Sequence, residues 1–184
     1  NVNSSSGGSR ARFFQVRGIG ERGQFSEPLN ASVGLLVDGV DLSGIGTAAT
    51  LSDVSQVEVF RGPQGTVFGA NALAGLINVV TPDVADEFTG SVDFGLGNYS
   101  AVDLGGVLSG PISDQVGFRI SAHQYKDDGF IDNIHLGRDD TDKHDETTIR
   151  GKLQGVLEQG SWQIVFGSID IDNGYDAFSL DNNR

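Results

Sequence analysis

The chain has 184 residues, with twelve Lys and Arg against twenty-five Asp and Glu, a formal net charge of −13. So acidic a surface repels phosphate backbones, which excludes nucleic acid as a partner. The absence of cysteine removes disulfides, thiolate metal ligands and cysteine nucleophiles together. The longest apolar runs, such as Leu35-Leu36-Val37, fall far short of the ~20 residues of a membrane-spanning helix.

Residues 1–12 form a Ser/Gly/Arg stretch that reads as loop. From Phe13 to Thr81 short β-type runs follow one another, separated by glycine turns. Val33 to Val40 is one, Val54 to Arg61 a second and Gly75 to Thr81 a third, which Pro82 ends. Gly65 to Leu73 has room for a turn and a short helical piece. Gly62 and Gly65 bracket Pro63-Gln64 as a tight turn with positive φ requires. This half predicts a compact α+β domain over residues 1–82, incomplete at its start, since the chain opens at Asn1 with no initiator Met and no apolar leader.

After Pro82 the pattern changes to segments of ~10 residues that alternate apolar and polar, the signature of transmembrane β-strands. Val92, Phe94 and Leu96 lie opposite Ser91, Asp93 and Gly95; Val102, Leu104 and Leu108 repeat the pattern. A turn over residues 110–114 precedes Val116, Phe118, Ile120 and Ala122, which alternate with Arg119, Ser121 and His123. Ile149 to Leu157 and Trp162 to Ile171 complete five candidate strands. Between the third and fourth runs a long acidic connection, Asp127 to Glu146, holds only Arg138 and Lys143 as cations. A soluble β-sandwich gives similar alternation. Five strands alone leave open edges, which a bilayer does not tolerate, so residues 83–184 read as the start of a barrel that continues beyond them.

Four segments carry a resemblance to TonB-dependent outer-membrane receptors. Phe14-Gln15-Val16-Arg17-Gly18 resembles the arginine-glycine strand of their plug domain, and Leu36-Val37-Asp38-Gly39-Val40 its hydrophobic-Asp-Gly-Val turn. Val57 to Gly69, with Arg61-Gly62-Pro63-Gln64-Gly65, is similar to the family's most recognisable segment. Asn71 to Thr81, with Gly75, is similar to the plug's last strand.

The resemblance implies an α+β plug domain followed by antiparallel transmembrane β-barrel strands, here a partial barrel, in the bacterial outer membrane. It implies uptake of a scarce solute, an iron-siderophore foremost, driven through the TonB protein by a segment outside this chain. Haem, cobalamin and carbohydrates are the other solutes of such families. Outer-membrane lipid would be the second partner; no cofactor and no enzymatic activity are implied. Arginines at the positions of Arg17 and Arg61 pair, in the family, with barrel glutamates, and a planar guanidinium suits a bidentate carboxylate. Gly18, Asp38, Gly39, Gly62, Pro63, Gly65, Gly69 and Gly75 are the plug-motif positions. The glycine-rich stretch 18–30, with Glu21, Arg22, Gln24 and Phe25, is the expected ligand-facing loop. The rival reading is a non-transporting binding or signalling module built on the plug.

Other signals point less far. Gly18 to Gly23 spells a dinucleotide fingerprint, with Asp38 about 20 residues on. Pro28 follows within five residues, however, and leaves no room for the helix that motif requires. Asp139, Asp140, Asp142 and Asp145 lack the glycine and glutamate spacing of a calcium loop. His123, His135 and His144 show no metal-ligand spacing, and no Gly-x-Ser-x-Gly elbow is present. Adjacent Asp127 and Asp128 fall on opposite faces of a strand and form no acid/base pair. Trp162, Tyr99 and Tyr125 lie near strand ends, as an interfacial aromatic girdle requires.

Overall fold

A computed structural model describes residues 2–6, 11–21, 31–45 and 51–174. The chain divides into two compact units, Asn1–Pro82 and Asp83–Arg184.

In the first unit, β1 (Val2–Ser6) pairs antiparallel with β2 (Ala11–Val16). The sequence predicts loop there. Its serines carry no apolar alternation, and the strand exists through backbone pairing with β2, whose Phe13 and Val16 are buried. A four-stranded mixed sheet follows, in the order β4-β3-β6-β5. It comprises β3 (Val33–Val37), β4 (Val40–Asp41), β5 (Gln56–Arg61) and β6 (Gly75–Val80), with α1 (Gly65–Phe68) between the last two. β3 and β6 run parallel at its centre.

Central parallel strands are covered on both sides, so they read as continuous apolar runs. On one face Val33, Leu35, Ile77 and Val79 pack with Val16, Ala74 and the flanking Phe14, Val37, Leu42 and Val54. On the other, Leu36, Leu76 and Ala72 pack with Phe60. Gly34 is the close-approach point: a Cβ there would lie 2.7 Å from the Asn71 carbonyl oxygen and 2.7 Å from Leu76 Cδ1. At the edge, β5 inverts the simple alternation. Val57 and Val59 are exposed, Phe60 packs inward, and Glu58 accepts from Asn78 Nδ2 at 2.8 Å and Gln56 Nε2 at 2.9 Å.

The second unit is an antiparallel meander of five strands in the order β11-β10-β9-β8-β7. These are β7 (Thr89–Leu96), β8 (Val102–Ser113), β9 (Val116–Asp127), β10 (His144–Leu157) and β11 (Gly160–Ile171). Two-residue turns, Asp114-Gln115 and Glu158-Gln159, join strands at one end. The longer connections 97–101 and 128–143 lie at the other. β10 begins five residues before the predicted Ile149. His144, Asp145 and Glu146 stay paired with Asp127, Lys126 and Tyr125, because Lys126 Nζ reaches Asp145 at 3.1 Å and His144 reaches Asp127 at 3.0 Å.

The register aligns one apolar face. Phe94 pairs with Leu104, Leu108 with Ile120, Ile120 with Gly151, and Leu153 with Ile164. Phe94, at 66% exposure, Leu104, Ile149, Ile164 and Phe166 are all open on this face. It closes at the loop end in a polar row, where Val102 meets Lys126 and Lys126 meets Asp145. The Phe166 and Trp162 rings cover Gly151 and Gly155 so closely that neither glycine has room for a Cβ. The opposite face carries Asp93, Asp103, Arg119, Ser121, His123, Tyr125, Arg150 and Lys152. Tyr125 therefore sits on the polar face and not in an interfacial girdle, because strand alternation groups it with His123 and Asp127. Among the described residues no helix is long and apolar enough to cross a membrane.

Candidate functional site

The plug-motif residues of the first unit occupy two tight turns and one excursion. In both turns the first central residue is charged and the second is glycine. Arg17 (φ +55°) and Gly18 (φ +81°) turn the chain between Val16 and Ile19, whose N–H groups each donate to the other's carbonyl, at 2.9 and 3.1 Å. Asp38 (φ +48°) and Gly39 (φ +82°) turn β3 into β4. Positive φ at both central positions is the type I′ geometry that matches the twist of paired strands.

The Asp38 carboxylate reaches back across the sheet to the end of β6. It accepts the Thr81 N–H at 2.9 Å and the Thr81 hydroxyl at 2.6 Å. Thr81 is only 6% exposed, so these bonds satisfy donors that water does not reach. Nearby, Asp41 accepts the Ser43 N–H at 2.8 Å and Asn71 Nδ2 at 2.7 Å. Partial burial acts to raise its pKa, but the bonds from the Ser43 hydroxyl and amide and from Asn71 outweigh it. Asp41 is held below the ordinary carboxylate value.

From Gly62 to Ala74 the chain leaves β5 and returns to β6. Gly62 N donates to Ala74 O at 3.1 Å and Gln64 N to Ala72 O at 2.8 Å, and Pro63, with no N–H to place, sits between them. Gly62 (φ +110°) and Gly69 (φ +88°) take the left-handed region. Gly65 does not: it opens α1, whose Gly69 N–H donates to its carbonyl at 3.1 Å, so of the expected bracketing pair Gly62 and Gly65 only Gly62 takes a positive φ. Gly75 is needed for space, since a Cβ there would lie 2.7 Å from Phe60 O. Arg61 ends β5 and, like Arg17, is exposed. Neither arginine has an ion pair among the described residues.

Of the expected ligand-facing loop, Arg22, Gln24 and Phe25 lie outside the described residues. Glu21 is described, and its Oε1 accepts both the Ser32 N–H at 2.9 Å and the Ser32 hydroxyl at 2.7 Å. That joins described residues close to the two ends of the stretch 22–30.

On the polar face of the second unit, two imidazole–carboxylate pairs lie at the loop end. His123 Nε2 is 3.0 Å from Asp103 and His144 Nδ1 is 3.0 Å from Asp127. Asp127 also accepts the Gly129 N–H at 2.8 Å. In the acidic connection Asn133 and Arg138 form an isolated bridge, and the Arg138 guanidinium donates to Asp140 at 2.8 and 3.0 Å. That pairing lowers the Asp140 pKa, so part of the acidic run is neutralised within itself. Among the described residues no group of three or more His, Asp and Glu side chains is arranged to hold a metal ion.

Residues 1–76 match the family model of the TonB-dependent receptor plug domain. Over 154 residues the chain is 31% identical to the pesticin receptor of Yersinia pestis, covering 83% of this chain and 22% of that protein. This chain belongs to the TonB-dependent receptors. The crystal structure of the ferric yersiniabactin uptake receptor FyuA from Yersinia pestis superposes with a TM-score of 0.74 at 30% identity, over 91% of this chain and 26% of that one. The pyoverdine receptor FpvA from Pseudomonas aeruginosa shares the fold, with a TM-score of 0.70 at 19% identity, over 92% of this chain and 23% of FpvA. The receptor chain thus spans about a quarter of the length of the relatives it matches, and its fold is an α+β plug followed by antiparallel barrel strands.

The missed features carry little sequence signal. The Asp38–Thr81 bond joins residues 43 apart, and neither residue type marks such a partner. The Glu21–Ser32 bond likewise joins residues 11 apart, and no periodicity encodes it.

Proposed function

We propose that the receptor takes up an iron-siderophore across the bacterial outer membrane, with energy delivered through the TonB protein. One observation carries the reading: a plug-matched unit is followed by a five-stranded meander with one open apolar face, in a chain 30% identical to a ferric yersiniabactin uptake receptor. Residues 1–82 serve as the plug and residues 83–184 as the opening strands of the barrel. The apolar face of β7–β11 meets outer-membrane lipid, since an exposed apolar sheet is stable only against an apolar solvent. The guanidiniums of Arg17 and Arg61, exposed and without an ion pair among the described residues, support a role toward barrel carboxylates beyond this chain. The Glu21–Ser32 bonds, which bring the ends of the glycine-rich stretch together, support a ligand-facing role for Glu21, Arg22, Gln24 and Phe25. Uptake needs no bond chemistry; it needs a part of the plug that opens at lower cost than the wall.

The test is uptake of radioactive iron by the source bacterium with the full gene intact, inactivated, or intact in cells lacking TonB. A panel of ferric siderophores is supplied under iron limitation. Uptake of at least one complex should be lost in both altered strains. Undiminished uptake of every complex after gene inactivation removes iron-siderophores as the solute class, and uptake that persists without TonB removes the energy coupling.

A further inference from the structure

The second unit begins before its first strand. Residues 83–85 run along the polar face, Phe88 turns its ring to the apolar one as the chain enters β7, and particular groups receive them. The Val84 N–H donates to Gln154 Oε1 at 3.0 Å and the Ala85 N–H to Ser109 Oγ at 2.9 Å. Ser109, fully buried, donates its own hydroxyl hydrogen bond to the Phe118 carbonyl at 3.0 Å. Gln154 Nε2 donates to Asp83 Oδ1 at 3.1 Å and to Gln163 Oε1 at 2.8 Å, so both ends of its amide are occupied. Val84 lies on Gly117, where an added Cβ would stand 3.6 Å from Val84 Cβ. The Phe88 ring packs against Gly110 and meets Phe118 edge-on at 5.8 Å.

Two glycines that leave space, two polar side chains that reach the backbone and one aromatic contact make this a built seat. We propose that residues 83–88 form a fixed strap of the wall, seated by Ser109 and Gln154, which stays in place while the plug rearranges. Ser109 and Gln154 are positioning residues. They end any plug movement ahead of Asp83 and keep a pull on the plug from peeling β7 off β8. The strap's immobility during uptake rests on the transport reading; its seating does not.

The first measurement is amide hydrogen exchange by mass spectrometry on the full-length receptor in detergent. The peptide over 83–88 should exchange about a hundredfold slower than unstructured chain. Ser109→Ala with Gln154→Glu should bring it within about tenfold of that limit. With Gln154→Glu alone, adding Asp83→Asn should restore protection, because the new amide donates to the new carboxylate. Exchange of the parent peptide at the unstructured rate overturns the seat, whatever the receptor carries.

The second measurement locks the strap. Val84→Cys with Gly117→Cys brings Cβ atoms to 3.6 Å, within disulfide range. Uptake by the oxidised pair should equal uptake after reduction. Uptake lost on oxidation and regained on reduction shows that the strap must leave its seat, and overturns the anchor. A parent that takes up no solute defeats the transport reading alone, and the exchange result still decides the seat.

Discussion

Asp38→Ala tests the bond that ties the Asp-Gly turn to the end of β6. The substitution leaves the Thr81 N–H and hydroxyl, on a residue 6% exposed, without the carboxylate that accepts them at 2.9 and 2.6 Å. Hydrogen bonds to a charged group contribute about 1.5–3 kcal/mol, and a stranded buried donor costs about 1–3 kcal/mol. Alanine must also hold the positive φ of +48°, which adds roughly 1–2 kcal/mol. These terms overlap, so the expected loss is about 3 kcal/mol, which corresponds to exchange roughly a hundredfold faster for the amides of β3 and β6. Asp38→Asn tolerates the turn and keeps one acceptor, and should lose about 1–2 kcal/mol. Thr81→Val removes the shorter bond and should couple to Asp38→Asn with a shared energy of about 1 kcal/mol in a double-mutant cycle. The assay is hydrogen exchange on the full-length receptor, reading peptides over 33–41 and 75–81. Equal effects of alanine and asparagine, with additive effects of the Thr81 change, refute the argument that the carboxylate works through Thr81.

Gly34→Ala drives a Cβ to 2.7 Å from the Asn71 carbonyl and should cost the sheet about 1–3 kcal/mol, as overpacking does; faster exchange over 33–41 checks it. Gly151→Ala meets the Phe166 ring and should lower the thermal midpoint of the barrel, with Phe166→Leu in the same chain recovering part of the loss; an unchanged midpoint counts against the aromatic cover. Asp41 has its pKa depressed below 3.8 in the folded chain, so its bonds to Ser43 and Asn71 stabilise fully above that value and fade as pH falls through the lower folded pKa. An NMR chemical-shift titration of the Ser43 amide should therefore stay flat from neutral pH down to about 4 and change only below it, and Asp41→Asn should abolish the change.

The parts of this fold that sequence reveals are those built from short-range rules. Periodicity runs one strand from Val33 to Val40, and only the family resemblance marks the turn at Asp38-Gly39, where two positive φ angles split it into β3 and β4. The five alternating segments predict five strands because face is set by parity. The β1 strand escapes because its serines lack that parity signal. Gly65 is misread because a glycine in sequence does not say whether φ, space or neither is its reason. Gly62 needs φ, Gly75 needs space beneath Phe60 O, and Gly65 simply starts a helix. The strap at 83–88 escapes for a different reason: its anchors, Ser109 and Gln154, lie 24 and 70 residues from the amides they hold.

The two type I′ turns share a layout and divide its use. Glycine takes the second left-handed position in each, which frees the first for a charged side chain at a cost of about 1 kcal/mol. Asp38 turns its charge inward to Thr81, so its turn is structural. Arg17 leaves its charge exposed with no ion pair among the described residues, so its turn holds a cation outward. Arg17→Asn should then leave exchange over the plug strands unchanged, since asparagine accepts the turn, while siderophore uptake falls if the guanidinium serves a carboxylate of the wall. Arg61→Gln should behave alike from the end of β5. If either substitution instead speeds exchange as much as Asp38→Asn does, the arginines hold the plug together internally, and their assignment to the barrel is wrong.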